Sequence, residues 1–328
     1  MFSKDIGIDL GTANVLIYVK GQGIVLDEPS VVAIEAETKK VLAVGKEAKE
    51  MLGRTPFKVS AIKPMKDGVI ADFEVTETML EEFLKKINGK NPFSKPRILI
   101  CCPSNITQVE KNAIKEAAEK IGAKKVFIEE EPKVAAVGAG LDISKPTGSM
   151  IIDIGGGTTD IAVLSLGGIV NSASIKVAGN TFDQEIIKYI KNKYKLLIGE
   201  RSAEDIKIKI GTVYNKKKKE AMKVRGRNIV TGLPDTIEIT SDEVEEALKD
   251  SVKNIIHNAK LVLEQTSPEL SADIINKGII MTGGGALMEG LDKIIEKELQ
   301  IPVYVASNPL TCVAEGTGIM LDNIHLID

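Results

Sequence analysis

The sequence predicts an α/β protein built from two related halves, each offering one phosphate-binding hairpin loop to a shared cleft. Two stretches carry that reading. Residues 151–160, Ile-Ile-Asp-Ile-Gly-Gly-Gly-Thr-Thr-Asp, begin as an apolar strand from Met150 to Ile154, with Asp153 near its end, and pass into three glycines. Lacking Cβ atoms, Gly155–Gly157 let backbone N–H groups approach a ligand closely, and consecutive N–H groups form a concavity suited to anions. The same theme opens the chain. Ile6–Leu10 contains Asp9, Gly11-Thr12-Ala13-Asn14 turns, Val15–Val19 returns, and Gly21-Gln22-Gly23 leads into Ile24–Leu26. The later copy runs through Ile161–Leu166, Gly167-Gly168 and Ile169-Val170 in the same order, with one extra residue. Repetition of a whole meander points to duplication, with the two loops closing on one ligand from opposite sides.

Composition narrows the class. A chain of 328 residues is long enough for roughly two domains, and 43% hydrophobic with 27% charged residues is ordinary for a globular protein. The net charge of −3, the absence of Trp and an aromatic content of 4% argue against nucleic acid as a partner. No apolar run reaches spanning length, and Met1–Asp5 is too short and polar for a signal peptide. Three cysteines, two of them adjacent in an apolar run (Cys101, Cys102), read as buried thiols in a reducing cytoplasm. His257 and His325 stand far from any motif, so zinc and Ser-His chemistry lack support.

The remaining elements follow in order. Residues 29–66 read as a small insertion with β-like pieces at Ser30–Ile34 and Val41–Val44 and a short helix near Lys46–Leu52. A Thr78…Glu81 capping box predicts a helix from Thr78 to Ile87, and Thr107…Glu110 predicts another that Gly122 ends. Between them lie a loop at residues 90–96 and a buried strand, Arg97–Cys102. Val126–Ile128 is a strand, followed by Glu129-Glu130-Glu131-Pro132 and a small-residue helix, Ala135–Gly140. Three acids between a buried strand and an Ala/Gly helix place at least one facing inward, and the small residues allow a close, hinge-like helix crossing. Thr181…Gln184 is expected to cap a helix, and Ser202–Ile210 to form a short one with Glu204 and Lys207 on one face. Lys216–Lys219 reads as a solvated loop in a β-rich segment, and Thr240…Glu243 opens a long core helix. Gly278–Thr282 is a strand, with Gly283-Gly284-Gly285-Ala286 opening a helix through Leu287, Leu291 and Ile295. A strand at 301–305 and a helix at Cys312–Leu321, with small residues at Ala314, Gly316 and Gly318, close the chain.

Together these motifs resemble the actin/Hsp70/sugar-kinase ATPase superfamily. Gly7–Asn14 resembles its first phosphate motif, Asp153–Asp160 its second, and Ile280–Leu291 its adenosine motif. Within it, Gly-Ile-Asp-Leu-Gly-Thr-Ala-Asn at 7–14, Pro-Ser-Asn-Ile-Thr at 103–107, Glu-Glu-Pro-Lys-Val-Ala-Ala-Val-Gly-Ala-Gly at 130–140 and Thr-Gly-Gly-Gly-Ala-Leu at 282–287 are similar to bacterial actins of the MreB family. Glu-Glu-Glu-Pro-Lys-Val, Leu-Leu-Ile-Gly-Glu-Arg and Glu-Leu-Ser-Ala-Asp-Ile-Ile look most like its Mbl branch. The resemblance spans essentially the whole chain. It implies an actin-like ATPase fold of duplicated ribonuclease-H-like domains, with four subdomains around a nucleotide cleft. Domain I would cover 1–147, with an insertion at about 33–66 and a C-terminal helix, 311–328, packed back on it. Domain II would cover 148–310, with an insertion at about 181–242. ATP and Mg²⁺ would occupy the cleft. Carried over by motif, Thr12, Ala13, Asn14, Gly156, Gly157 and Thr158 would hold phosphates, and Asp9 and Asp153 a metal through water. Glu204, Asp205, Ile206 and Lys207 would reach ribose and base, with Gly284, Gly285, Ala286 and Leu287 beneath the adenine. Glu131 matches the catalytic glutamate and Thr158 its partner in placing the attacking water.

The implied function is an ATP-dependent, membrane-associated filament that organises cell-wall elongation and maintains rod shape, with slow ATP hydrolysis timing filament turnover. Its implied partners are further copies of itself in double filaments, paralogous bacterial actins, and cell-wall elongation membrane proteins of the RodZ, MreC and MreD type. The implied location is cytoplasmic, peripheral on the inner face of the cell membrane. Only eight residues precede Asp9, which leaves no room for a full amphipathic helix, so Phe2 and the Pro92-Phe93 loop are the expected membrane contacts. One buried Phe contributes only ~1.5–3 kcal/mol, so binding would depend on the repetition that a polymer supplies. A small-molecule kinase of the same superfamily is the alternative, but the residue before Pro132 is Glu rather than a catalytic Asp. An Hsp70-like chaperone would need a linker and a substrate-binding domain, which this sequence does not supply.

Overall fold

In the computed structural model, residues 5–88, 96–103, 106–120, 122–214 and 219–323 are described. The first half runs β1 (Ile6–Leu10), β2 (Asn14–Val19), β3 (Gly23–Pro29), β4 (Val32–Glu35), β5 (Val41–Val44), α1 (Lys46–Met51), β6 (Val59–Ile62), β7 (Met65–Lys66), β8 (Val69–Ile70), α2 (Phe73–Asn88), β9 (Arg97–Cys102), α3 (Gln108–Lys120), β10 (Lys125–Glu130) and α4 (Glu131–Gly138). The second runs β11 (Ser149–Ile154), β12 (Thr159–Ser165), β13 (Gly168–Ile175), α5 (Gly179–Tyr194), β14 (Leu196–Leu197), α6 (Glu200–Ile210), β15 (Ala221–Asn228), β16 (Pro234–Thr240), α7 (Ser241–Glu264), α8 (Pro268–Lys277), β17 (Ile279–Thr282), α9 (Leu291–Leu299), β18 (Val303–Val305) and α10 (Cys312–Asp322).

Two five-stranded sheets share one plan. Their orders are β3-β2-β1-β9-β10 and β13-β12-β11-β17-β18. In each, the first three strands form an antiparallel meander and the last two add in parallel. The repetition extends to an irregularity, since the register slips between Ile17 and Tyr18 in one meander and between Val163 and Leu164 in the other. A shared bulge is a retained geometric feature, and it supports the duplication read from the loops. Small three-stranded sheets, β5-β4-β6 and β14-β15-β16, sit in the two insertions.

Helices α4 and α10 lie between the large sheets. Their apolar faces share one buried cluster with Leu99 of β9, Ile151 of β11 and Ala162 and Leu164 of β12. The crossing is a backbone contact. A Cβ built on Gly138 would overlap the Cys312 carbonyl, and one on Gly316 would overlap the carbonyl of Val134. The close approach expected from these small residues is therefore present.

Several boundaries differ from the sequence reading, each for a local reason. Helix α2 starts five residues before Thr78. Asp72 caps it through the Val75 N–H at 3.2 Å, while Thr78 lies inside the helix and donates to the Glu74 carbonyl at 2.8 Å. Helix α5 starts at Gly179, and Thr181 accepts from the Ala178 N–H at 3.3 Å from its third position rather than capping from outside. Leu166 is the left-handed corner of the β12–β13 turn, with φ 52°, rather than the end of a strand. The triple glycine opens only a 3₁₀ turn, Gly284–Leu287, and Gly290, at φ 83°, breaks the chain before α9 begins. The other two capping boxes hold. Thr107 donates N–H to Glu110 Oε2 at 2.8 Å, and Thr240 donates to Glu243 Oε2 at the same distance. Of the Lys216–Lys219 run, only Lys219 lies within the described residues.

Candidate active site

A cleft of about 750 Å³ separates the two halves. Its floor is the pair of glycine turns that leave β1 and β11. They nearly touch: a Cβ on Gly156 would lie 2.5 Å from Ala13 Cβ, and one on Gly157 would lie 2.6 Å from Thr12 Oγ1. Each turn is tied to its own half. Ser30 Oγ donates to the Gly11 carbonyl at 2.6 Å, and Asn14 Nδ2 donates to Asp27 Oδ1 at 2.7 Å. The Gly155 and Gly156 carbonyls accept from Gly179 N at 3.1 Å and Asn180 N at 2.8 Å, which fixes the second turn to the start of α5. Thr12 Oγ1 accepts from Gly68 N at 3.1 Å, which leaves its hydroxyl proton free to donate.

Asp9, Asp153 and Glu131 line this cleft at the ends of β1, β11 and β10. Glu131 is the first residue of α4, with Pro132 fixing the first helical turn. Strand β10 runs on through Glu130, two residues beyond its expected end, so Glu131 is delivered directly to the cleft floor. Burial raises the Glu131 carboxyl well above its ordinary range, and Asp153, Asp160 and Asp9 add to the shift. Burial, with Asp27, raises Asp9 to about 7. Burial, with Asp160 and Asp9, raises Asp153 to about 8. This is an acid-rich pocket that favours a cation. Asp153 Oδ1 is buried without a hydrogen-bond partner, and no group of three or more metal-ligating side chains occurs among the described residues. The donors therefore fit a hydrated divalent ion held through water better than a direct all-protein cage.

Because these aspartates are raised in the folded protein, they keep protons that the unfolded chain releases. The stability this contributes is fully present below about pH 4 and is lost as pH rises through about 7 to 8. Nucleotide-free protein is expected to melt at a lower temperature at about pH 9 than at about pH 6, and Asp153→Asn to flatten that slope. A thermal scan across that range checks it.

The upper cleft gathers Glu204 and Lys207 with Gly284, Gly285 and Leu287. Lys207 Nζ sits 2.8 Å from Asp183 Oδ1 and donates to the Gly179 carbonyl at 3.0 Å. Glu204 meets Lys49 of the first insertion, with Nζ 3.1 Å from each carboxylate oxygen, and Lys63 pairs with Glu200 at 2.8 Å nearby. These two ion pairs span the cleft between the insertions. Three expected contacts do not line it. Ile206 is buried in the core of the second half and Ala286 is buried beneath the turn, because one helical face carries 204 and 207 and turns 206 away. Asp205 also lies outside the cavity lining. Lys49, Gly68, Asp27 and Asp183 line it without having been singled out from sequence. Gly68 has φ 75°, and a Cβ there would lie 2.6 Å from Thr158 Cγ2, but no motif marks it. Phe2, Pro92 and Phe93 lie outside the described residues. No helix among the described residues is long and apolar enough to cross a membrane.

Comparison with known proteins follows the same lines. The family model described as MreB/Mbl protein matches residues 3–328. The chain is 65% identical over 324 residues to the cell shape-determining protein Mbl of Bacillus subtilis (strain 168), covering 99% of this chain and 97% of that one. It is 52% identical over 332 residues to the cell shape-determining protein MreB of Escherichia coli (strain K12), covering 99% and 95%. The crystal structure of MreB5 of Spiroplasma citri bound to AMPPNP superposes with a TM-score of 0.95 at 44% identity, covering 99% of this chain and 98% of that one. A MamK double helical filament shares the fold, with a TM-score of 0.84 at 22% identity, covering 97% and 98%. The fold is thus the actin-like one that the motifs implied.

Proposed function

The chain belongs to the MreB/Mbl family, and from that membership we propose that it is an ATP-dependent, filament-forming cytoskeletal protein that determines cell shape. The observation that carries the nucleotide part is the pair of glycine turns meeting at the floor of a 750 Å³ cleft that Glu131 also lines. Thr12, Ala13, Asn14, Gly156, Gly157 and Thr158 cradle the phosphates from both halves. A Mg²⁺ ion, held through water by Asp9 and Asp153, would neutralise phosphate charge. Glu204 and Lys207 take the ribose and base, and Gly284, Gly285 and Leu287 form the bed for the ring.

Hydrolysis then needs an oriented water more than covalent chemistry. Glu131, at the start of a rigid helix, accepts a hydrogen bond from that water, and the Thr158 hydroxyl fixes its second direction. With its carboxyl raised by burial and by the neighbouring acids, Glu131 holds a proton more readily than an ordinary glutamate and is the stronger base toward that water. ATP and its product would grip the two halves differently, linking nucleotide state to the angle between domain I (1–147) and domain II (148–310), and so to assembly. The Lys49–Glu204 and Lys63–Glu200 pairs lie where that closure would be felt. The filament would lie on the inner membrane face through Phe2 and Pro92-Phe93, beside elongation proteins of the RodZ, MreC and MreD type and paralogous actins.

High-speed pelleting with ATP and Mg²⁺ tests the proposal. The sedimenting fraction is expected to appear above a threshold concentration and to require nucleotide. A protein that binds ATP and stays in the supernatant at every concentration would sink the filament reading.

A further inference from the structure

Among the described residues, Lys133 is the one lysine or arginine that is buried, at 3% exposure. It stands two residues past Glu131, in the first turn of α4. Its Nζ is 3.2 Å from Glu129 Oε2, and both side chains are 4% exposed. Glu129 is still on β10, so the ion pair bridges the strand-to-helix junction, its two residues flanking Glu131 in sequence.

That junction lacks an ordinary brace. The residue before the helix, Glu130, has extended backbone and makes no side-chain cap. A cap commonly anchors the first turn by taking one of its unpaired N–H groups. The neighbouring strand β9 reinforces Glu129 instead, with Cys102 Sγ donating to the Glu129 carbonyl at 3.5 Å. Burying two charges is costly, and apolar residues of similar size often serve stability equally well. An ion pair differs from an apolar contact in direction: its geometry sets the angle at which the helix leaves the strand.

We propose that Lys133 is a positioning residue for the hydrolytic reaction, acting through Glu129 to set the direction in which α4 presents Glu131 to the cleft. The inference rests on Glu131 being the residue that orients water. Lys133 is not among the residues that line the cleft. Its effect is therefore on phosphate release and not on nucleotide affinity.

The test replaces the pair by apolar residues, Glu129→Met with Lys133→Met, in the full chain. Phosphate release is measured per mass of pelleted filament, beside the dissociation constant of a fluorescent ATP analogue and the melting temperature. A misplaced reacting group can cost up to ~100-fold, and we expect release to fall about tenfold or more with nucleotide affinity and melting temperature retained. Wild-type release from a folded double variant overturns the proposal. Should that variant fail to fold, the nearly isosteric Glu129→Gln decides: slowed release at unchanged affinity supports the proposal, and wild-type release overturns it. Glu131→Ala measured in parallel separates the two readings. Normal release from Glu131→Ala removes Glu131 from the chemistry and the proposal with it, whereas slow release there with a fast double variant removes only Lys133.

Discussion

Glu131→Ala is expected to slow phosphate release by ~100-fold or more while nucleotide still binds, and filaments of the variant should persist long after wild-type filaments have disassembled. The expectation follows from position. Glu131 enters the cleft from the first turn of α4, while the residues assigned to phosphate sit on the turns after β1 and β11. Removing its carboxyl takes away the group that orients water and leaves the cradle whole. It also relieves a crowd of acids, since Asp153, Asp160 and Asp9 all act on it, so the variant is expected to be no less stable than wild type. A stopped-flow phosphate sensor and turbidity decay measure the two effects together. Normal release would place the water-orienting role elsewhere.

The largest stability effect is expected at a glycine. Gly138→Ala puts a methyl group into the Cys312 carbonyl, and Gly316→Ala does the same against Val134. Neither neighbour is a flexible side chain that can swing away, so the helices must separate and open the cluster they share with both sheets. Each substitution is expected to cost about 3 kcal/mol, the upper part of the range for overpacking. The double variant should cost less than the sum, because the first separation makes room for the second. Thermal unfolding of the three variants checks both statements. Additive losses would mean that the two glycines do not share one contact.

Much of this was legible from residue type, because the loops carry their own geometry. Consecutive glycines between a strand ending in Asp and a Thr leave few conformations, and the meander that repeats at 4–26 and 150–170 announces a second copy without reference to packing. That at least one of the acids at 129–131 faces inward was also accessible from their place between a buried strand and an Ala/Gly helix, whereas the choice of Glu131 came from the resemblance. What stayed hidden depends on contacts made at long range. Lys49 and Asp183 enter the cleft only because the insertions fold over it, and nothing near either residue marks it. The starts of α2 and α5 were misplaced because Thr-x-x-Glu and Thr-x-x-Gln also occur inside helices, where the threonine bonds backward. Asp205, Ile206 and Ala286 fell outside the cleft because a contiguous motif was carried over whole, whereas a helix shows a ligand only one face.

The packing of α10 has a consequence for how the protein is made. A Cβ on Gly7 of β1 would strike Thr317, and one on Gly318 would lie against the Tyr18 ring of β2, so the last described helix covers the first two strands. A ribosome adding 5–20 residues per second would need roughly 15–60 s to travel from β1 to α10. For that interval the first sheet can pair its strands but has one face without its cover, and α4 lacks the partner across its glycine crossing. The N-terminal half therefore cannot finish ahead of the C-terminal half, although its strands emerge first. Its maturation is timed by the synthesis of α10, which delays a closed cleft until that helix has emerged.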